Sequence, residues 1–259
     1  MRDVLIVEDD AVVLTVVARL CRSEGLRVDE IDSVDGALAS LAETDYRLVL
    51  VDLMLPGRSG LELLEVLAAD HAATPVIMIS GYATSENALK SLQLGAFDFL
   101  PKPFDVAELL GVVRRGLRYG EGRSAGGQDE AAAADRRHFL GCHSWAVLDA
   151  DGMATVGAGE TFRGVLGDAE RIELPAAGNH VIQGRELAWI EGSEEAHRIW
   201  SPLSGLVVAV NVELTGRVDR VDRFPFSSGW LARIVPAELE NELLALTLRP
   251  AGRDVAIGG

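Results

Sequence analysis

Apolar positions along the first 118 residues follow two alternating rhythms. Val4–Val7 is a short unbroken apolar run, as a strand buried on both faces requires. Ala11–Cys21 follows with apolar residues at helical spacing. The alternation then repeats: strand Arg27–Ile31 and helix Val34–Ala42, strand Leu48–Val51 and helix Leu61–Ala68, strand Val76–Ile79 and helix Ser85–Leu94, strand Phe97–Leu100 and helix Val106–Leu117. Five strands alternating with five helices predict an α/β fold, with a parallel sheet covered by helices on both faces.

Residues 119–137 break this rhythm. Gly120, Gly122, Gly126 and Gly127 mix with polar residues and an alanine run around Ala133, without an apolar stripe, which predicts a linker. Beyond it, short β-type runs recur between turn signals: Trp145–Leu148, Arg171–Leu174, Leu187–Ile190, Arg198–Trp200, Leu206–Val212 and Trp230–Val235. Their spacing predicts a mostly β domain, a small barrel or sandwich. Pro236 opens an apolar helical pattern through Leu239, Leu243 and Leu246, with Glu238 and Glu240 in its first turn. The expected organisation is therefore 1–118, a linker at 119–137, a second domain at 138–248 and a loose tail at 249–259.

Charge narrows the function. The chain carries 40 Asp and Glu against 24 Lys and Arg, a net charge of −16. Residues 1–118 hold 11 basic and 19 acidic side chains and the remainder 13 and 21, so each half is at −8. Neither half offers the basic face that phosphate neutralisation needs, which argues against DNA as a partner and against a transcription factor. Arg114, Arg115 and Arg118 read as a solvated face of the last helix of the first domain. Cys21 and Cys142 are too few for a disulfide framework and fit a reducing cytoplasm; Cys21 reads as a core residue. Acids directly follow the first apolar run, unlike a signal peptide. The uncharged stretches 71–85 and 199–212 are shorter than a membrane span and contain Pro and Gly.

In open parallel α/β sheets the working site lies beyond the carboxyl ends of the strands. Here those ends carry Asp9 and Asp10, Asp52, Ser80 and Lys102. Three carboxylates in one crevice repel one another unless a cation offsets them. A hard ion such as Mg²⁺ takes oxygen ligands, and a carboxylate beside it, with a Lys nearby, can attack phosphorus to form an acyl phosphate. The segments Ile6-Val7-Glu8-Asp9-Asp10, Val51-Asp52-Leu53-Met54-Leu55-Pro56-Gly57, Met78-Ile79-Ser80-Gly81 and Phe99-Leu100-Pro101-Lys102-Pro103-Phe104 resemble the receiver domain of two-component response regulators. The resemblance implies a flavodoxin-like (βα)5 fold with strand order 2-1-3-4-5. It implies Asp52 as phosphoacceptor from a sensor histidine kinase, and Asp9 and Asp10 as the acidic pair holding Mg²⁺, with the Met54 carbonyl as a further ligand. Lys102 would bind the phosphoryl group. Ser80 and Phe99 match the switch pair, in which Phe99 turns inward on phosphorylation. Phosphorylation-dependent homodimerisation is a further expectation.

Residues 138–248 resemble the H-protein of the glycine cleavage system, a lipoyl carrier. His143-Ser144-Trp145, Asp151-Gly152-Met153-Ala154-Thr155-Val156-Gly157, Trp200-Ser201-Pro202-Leu203-Ser204-Gly205 and Gly229-Trp230-Leu231 carry the likeness. It implies a barrel-sandwich with a C-terminal helix. The family presents its lipoyl lysine on a tight hairpin; here that text is Glu191-Gly192-Ser193-Glu194-Glu195, with Glu194 at the lysine position. The chain's only lysines are Lys90 and Lys102, both in the first domain, so no lipoate is expected on the second. What remains is a protein-interaction module with an unknown target; the alternative is a decoy that docks onto lipoate-dependent or glycine-cleavage enzymes. His138, Cys142 and His143 form only a weak metal set, since structural zinc normally takes four ligands. No basic cluster surrounds the four tryptophans, which read as core or groove residues and not as a stacking platform.

Overall fold

The computed structural model describes residues 2–122 and 136–250. In the N-terminal half β1 (Arg2–Val7), β2 (Val28–Ile31), β3 (Tyr46–Asp52), β4 (Val76–Ser80) and β5 (Asp98–Pro101) form a parallel sheet in the order β2-β1-β3-β4-β5. Between and after them run α1 (Ala11–Ser23), α2 (Val34–Glu43), α3 (Gly60–Asp70), α4 (Ser85–Gln93) and α5 (Val106–Gly122). On one face Val17 and Cys21 of α1 and Leu109 and Val113 of α5 pack with Val4, Ile6, Leu48, Leu50 and Ile77. The alternate strand residues Leu5, Val7, Val49 and Val51 are equally buried, so the sheet is covered on both sides and its strands read as continuous apolar runs. Burial in this core pushes the Cys21 thiol up to about 12.

Local chemistry fixes where the helices start. The Asp10 carboxylate accepts from the Val12 and Val13 amides, capping α1. Ser59 and Glu62 form a reciprocal capping box on α3, and Thr84 caps α4 through the Asn87 amide. Gly60 starts α3 against the end of β3: a Cβ there would lie 2.0 Å from the Asp52 carbonyl oxygen. That close approach sets the path of the loop leaving Asp52.

At the other end of the sheet, the Asp3 carboxylate accepts from the Arg27 Nε at 2.8 Å and from Arg47 Nη1 at 3.1 Å. Hydrogen bonds from Arg27, side chain and backbone, then Arg47, hold Asp3 well below the usual carboxylate range. A carboxyl depressed on folding stabilises above its unfolded pKa of about 3.9, and that contribution is lost as pH falls through the folded value. Asp3→Asn is expected to lower stability at neutral pH by about 1 kcal/mol, discounted for solvent screening. Urea titrations of both proteins should show the difference shrinking as pH drops below about 4.

The C-terminal half is antiparallel. Its strands are β6 (Arg136–Leu140), β7 (Ser144–Leu148), β8 (Ala154–Ala158), β9 (Ala169–Glu173), β10 (His180–Val181), β11 (Glu186–Gly192), β12 (Ala196–Trp200), β13 (Gly205–Val210), β14 (Trp230–Pro236) and β15 (Thr247–Pro250). One sheet runs β10-β13-β14-β8-β7-β6-β15 and a smaller one β12-β11-β9. Their shared core includes Val156, Phe162, Leu187, Ile190, Ile199, Leu203, Val207, Leu231 and Ile234. Short helices α6 (Asp219–Arg223) and α7 (Leu239–Leu243) complete it.

The described chain divides into two compact units. The first, through α5, also takes in Glu191–His197, the turn between β11 and β12; the second holds the rest of the β-rich half. Two expectations are corrected at the boundaries. Residues 119–122 and 136–137 of the expected linker belong to α5, which continues to Gly122, and to β6, which starts at Arg136. The C-terminal helix is shorter than expected. Pro236 ends β14, paired with Gly205, and α7 spans only Leu239–Leu243 before the chain returns as β15 beside β6. A proline is tolerated at such a strand end because its missing N–H need not serve the ladder. The rest of the expected linker, 123–135, and the part of the expected tail beyond Pro250 lie outside the described residues. Among the described residues no helix is long and apolar enough to cross a membrane.

Candidate functional site

The carboxyl ends of β1, β3, β4 and β5 lie in register, so the residues leaving them face one crevice. Carboxylate oxygens of Glu8, Asp9 and Asp52 lie within 4.8 Å of one another there, with Glu8 and Asp52 buried and Asp9 exposed. Lys102 reaches in from the turn after β5. Its Nζ donates to Glu8 Oε2 at 2.6 Å and to Asp52 Oδ2 at 2.5 Å. The Lys102 amide donates to the Ser80 carbonyl at 2.7 Å, and the Lys102–Pro103 peptide is cis. The other Asp52 oxygen accepts from the Met54 amide at 2.8 Å. Ser80 is fully buried, and its hydroxyl oxygen accepts from the Tyr82 amide at 3.0 Å.

Electrostatics follows from this packing. Burial drives the Glu8 carboxyl upward; Lys102 opposes it, the Asp52 charge adds to it, and the balance lies at about 7. Burial works against the Lys102 ammonium, but its bonds to Asp52 and Glu8 outweigh that and raise its pKa. An all-oxygen donor set of three convergent carboxylates fits a hard divalent cation such as Mg²⁺.

The structure re-sorts the acidic run. Glu8, not Asp10, joins Asp9 and Asp52 in the cluster. Asp10 is spent on the N-cap of α1, which turns its carboxylate toward the Val12 and Val13 amides at 2.8 and 3.2 Å. A second difference concerns Phe99. It is already buried, 2% exposed, so the expected inward turn has no outward ring to start from. The third concerns the α5 arginines. Arg115 is fully buried, paired with Asp98 of β5 and stacked over the Phe97 ring at 4.8 Å. It is a core ion pair, not part of a solvated face.

In the β-rich half, Glu194 stands exposed at the tip of the β11–β12 turn, with its carboxylate 3.3 Å from Arg114 of α5. His143 is fully buried edge-on against Phe162, with ring centroids 4.8 Å apart, as a core residue would be. Among the described residues the Glu8–Asp9–Asp52 cluster is the one group of three metal-ligating side chains, so His138, Cys142 and His143 do not converge. Trp145 and Trp200 are buried. Single guanidiniums stack on tryptophans, Arg137 on Trp145 at 4.3 Å and Arg198 on Trp189 and Trp200 at 5.3 and 5.5 Å, a pairing the sequence pattern did not reveal.

Comparison with known proteins separates the same two parts. The response regulator receiver domain family matches residues 4–114, and the glycine cleavage H-protein family matches residues 137–250. The nitrogen assimilation regulatory protein NtrX of Azorhizobium caulinodans is 37% identical over 117 residues, 44% of this chain and 26% of that protein. The glycine cleavage system H protein of Hydrogenovibrio crunogenus is 41% identical over 103 residues, 40% of this chain and 80% of that protein. This chain therefore spans most of the H protein but only 26% of the NtrX relative. Among solved structures, the receiver domain of NtrX from Brucella abortus is similar at 36% identity and a TM-score of 0.44, covering 45% of this chain and 98% of that one.

Proposed function

Because this chain belongs to the glycine cleavage H-protein family and carries a response regulator receiver domain ahead of that part, we propose that it is a two-component response regulator with an H-protein-like output module. The observation that carries the reading is Asp52, a buried carboxylate held by Lys102 beside Glu8 and Asp9. In the proposed reaction an Asp52 carboxylate oxygen attacks the phosphoryl group on a sensor kinase histidine. The phosphorus–nitrogen bond breaks as the oxygen–phosphorus bond forms, leaving an acyl phosphate. Lys102 moves from carboxylate to phosphoryl oxygen as charge builds there, and the Ser80 hydroxyl donates to another. Glu8, Asp9, Asp52 and the Met54 carbonyl would hold Mg²⁺, which supplies charge neutralisation at the transferring group. Phosphoryl uptake from a small phosphodonor should therefore require Mg²⁺. Intact mass should show one added phosphoryl group with the ion and none with a chelator; equal uptake in both conditions would contradict the reading.

The output module acts without lipoate. Glu194 occupies the lysine position, and a carboxylate forms no amide with lipoic acid. After expression in a lipoylating host, the intact chain should carry no lipoyl increment. Glu194→Lys should be modified poorly at best, because Gly192, Ser193 and Glu195 also depart from the family's hairpin. A lipoyl group mapped to the β-rich half of the unaltered chain would refute the assignment. Charge argues against DNA as the target, so a protein partner is proposed. The 41% identity to an H protein favours one second reading, a decoy for lipoate-dependent enzymes. Such a decoy should compete with lipoylated H protein in a reconstituted glycine-cleavage assay, whereas a signalling adaptor should not.

A further inference from the structure

The first compact unit contains a segment that the βα pattern does not supply: Glu191–His197, the turn that presents the carrier lysine in the H-protein family. The Gly192 amide donates to the Glu195 carbonyl at 2.8 Å and closes the turn over Ser193 and Glu194. Behind the exposed tip the segment is deeply covered: Glu195, Ala196 and His197 are 5%, 4% and 2% exposed. What covers them is α5. Glu195 pairs with Arg118, lies 3.5 Å from Arg114 Nη1, and has the His197 Nε2 at 3.4 Å. Burial alone would raise the Glu195 carboxyl, but His197 and Arg118 outweigh it and hold the group below its usual range. Arg114 is also anchored from its other side by Glu24 of α1 at 2.6 Å, which fixes the guanidinium the turn meets.

Shape agrees with charge. Gly111 lies on the same helix, and a Cβ there would stand 2.6 Å from the Ala196 carbonyl oxygen, 3.0 Å from its nitrogen and 3.1 Å from the His197 ring. A glycine inside a helix lowers its stability relative to alanine, so its presence here matches a backbone that must come this close.

We propose that the former lipoyl turn is a docking element for α5: Glu195, next to the acidic residue now at the carrier position, seats this segment on the Arg114–Gly111–Arg118 face. The partner of that face is thus a segment of the chain itself. The exposed Arg114–Glu194 pair adds little, because solvent screens it. The covered Glu195 and the Gly111–Ala196 contact carry the specificity. Arg115, buried between this face and β5, pairs with Asp98, the neighbour of Phe99, so the docked turn lies one ion pair away from β5. This deepens the response-regulator reading but does not need phosphorylation to be tested.

Hydrogen exchange of the amides in 192–197, measured in the full chain without phosphodonor, tests it. Gly111→Ala puts a methyl group against Ala196 while improving helix propensity. It should speed exchange of the turn by about tenfold or more, with the unfolding temperature of the α/β half unchanged or raised. Arg118→Glu should also speed exchange, and the swap Arg118→Glu with Glu195→Arg should restore protection. Unchanged exchange in either single variant, or no recovery in the swap, would overturn the proposal. A receiver that takes no phosphate would leave this result intact, so the two readings fail separately.

Discussion

Replacing Arg115 with alanine is expected to destabilise the α/β half by about 3–5 kcal/mol, the cost of stranding a buried charge. The side chain is fully buried, its guanidinium pairs with the Asp98 carboxylate, and its plane covers Phe97. Asp98 is itself 4% exposed, and its other oxygen accepts from the Phe99 amide at 2.7 Å. Truncation removes packing volume and leaves a carboxylate in a low-dielectric site without its guanidinium. Arg115→Met keeps much of the volume but still strands the charge, so it too should be strongly destabilising. Adding Asp98→Asn removes that charge and should recover a large part of the loss, a non-additivity that urea unfolding of the four proteins reads directly. Additive losses would mean that the pair is not a coupled unit.

The second large effect is at Lys102. Its ammonium separates Glu8 from Asp52, at 2.6 and 2.5 Å. Lys102→Ala leaves two buried carboxylates and Asp9 facing one another. Stability in chelator should fall by about 3 kcal/mol, and Mg²⁺ should return more of it to the variant than to the unaltered protein, because a cation that binds only the folded state stabilises by mass action. Phosphoryl uptake should slow by about 10²–10³-fold, the usual loss when one charge-stabilising donor is removed. Thermal unfolding with and without Mg²⁺ measures the first effect, and mass-detected uptake the second. A variant as stable as its parent in chelator would show that the crevice does not need the lysine's charge.

Much of this was legible in the sequence because burial on both faces writes itself as short apolar runs, as in β1, β3 and β4; the edge strand β2, Val28–Ile31, carries two acids and was placed by the alternation instead. Asp52, Ser80 and Lys102 were found by position, each following such a run. The order of use within Glu8-Asp9-Asp10 was not legible. Three successive acids differ only in where the turn aims them, and helix capping claimed Asp10. The role of Arg115 was hidden by its neighbours, since Arg114 and Arg118 are partly exposed. A signal did exist: Glu108, Gly111 and Arg115 share one helix face, and a glycine there points to a close backbone approach. In the β-rich half, β8 did not stand out as a β-type run and was carried only by the H-protein likeness, because three of the five residues of Ala154–Ala158 are Ala or Gly, although it is a central strand between β14 and β7. β15, Thr247–Pro250, was missed because the expected helical pattern ran through Leu246 and a loose tail was expected from residue 249, where the chain instead returns beside β6.

The central claim is that Asp52 takes the phosphoryl group, and trapping the acyl phosphate tests it most directly. After incubation with a small phosphodonor and Mg²⁺, borohydride reduction converts a phosphorylated aspartate into a stable alcohol that peptide mapping can locate. The account predicts the label on Asp52 alone in the unaltered chain and no label in Asp52→Asn; a label on another residue, or equal labelling of both proteins, would contradict it.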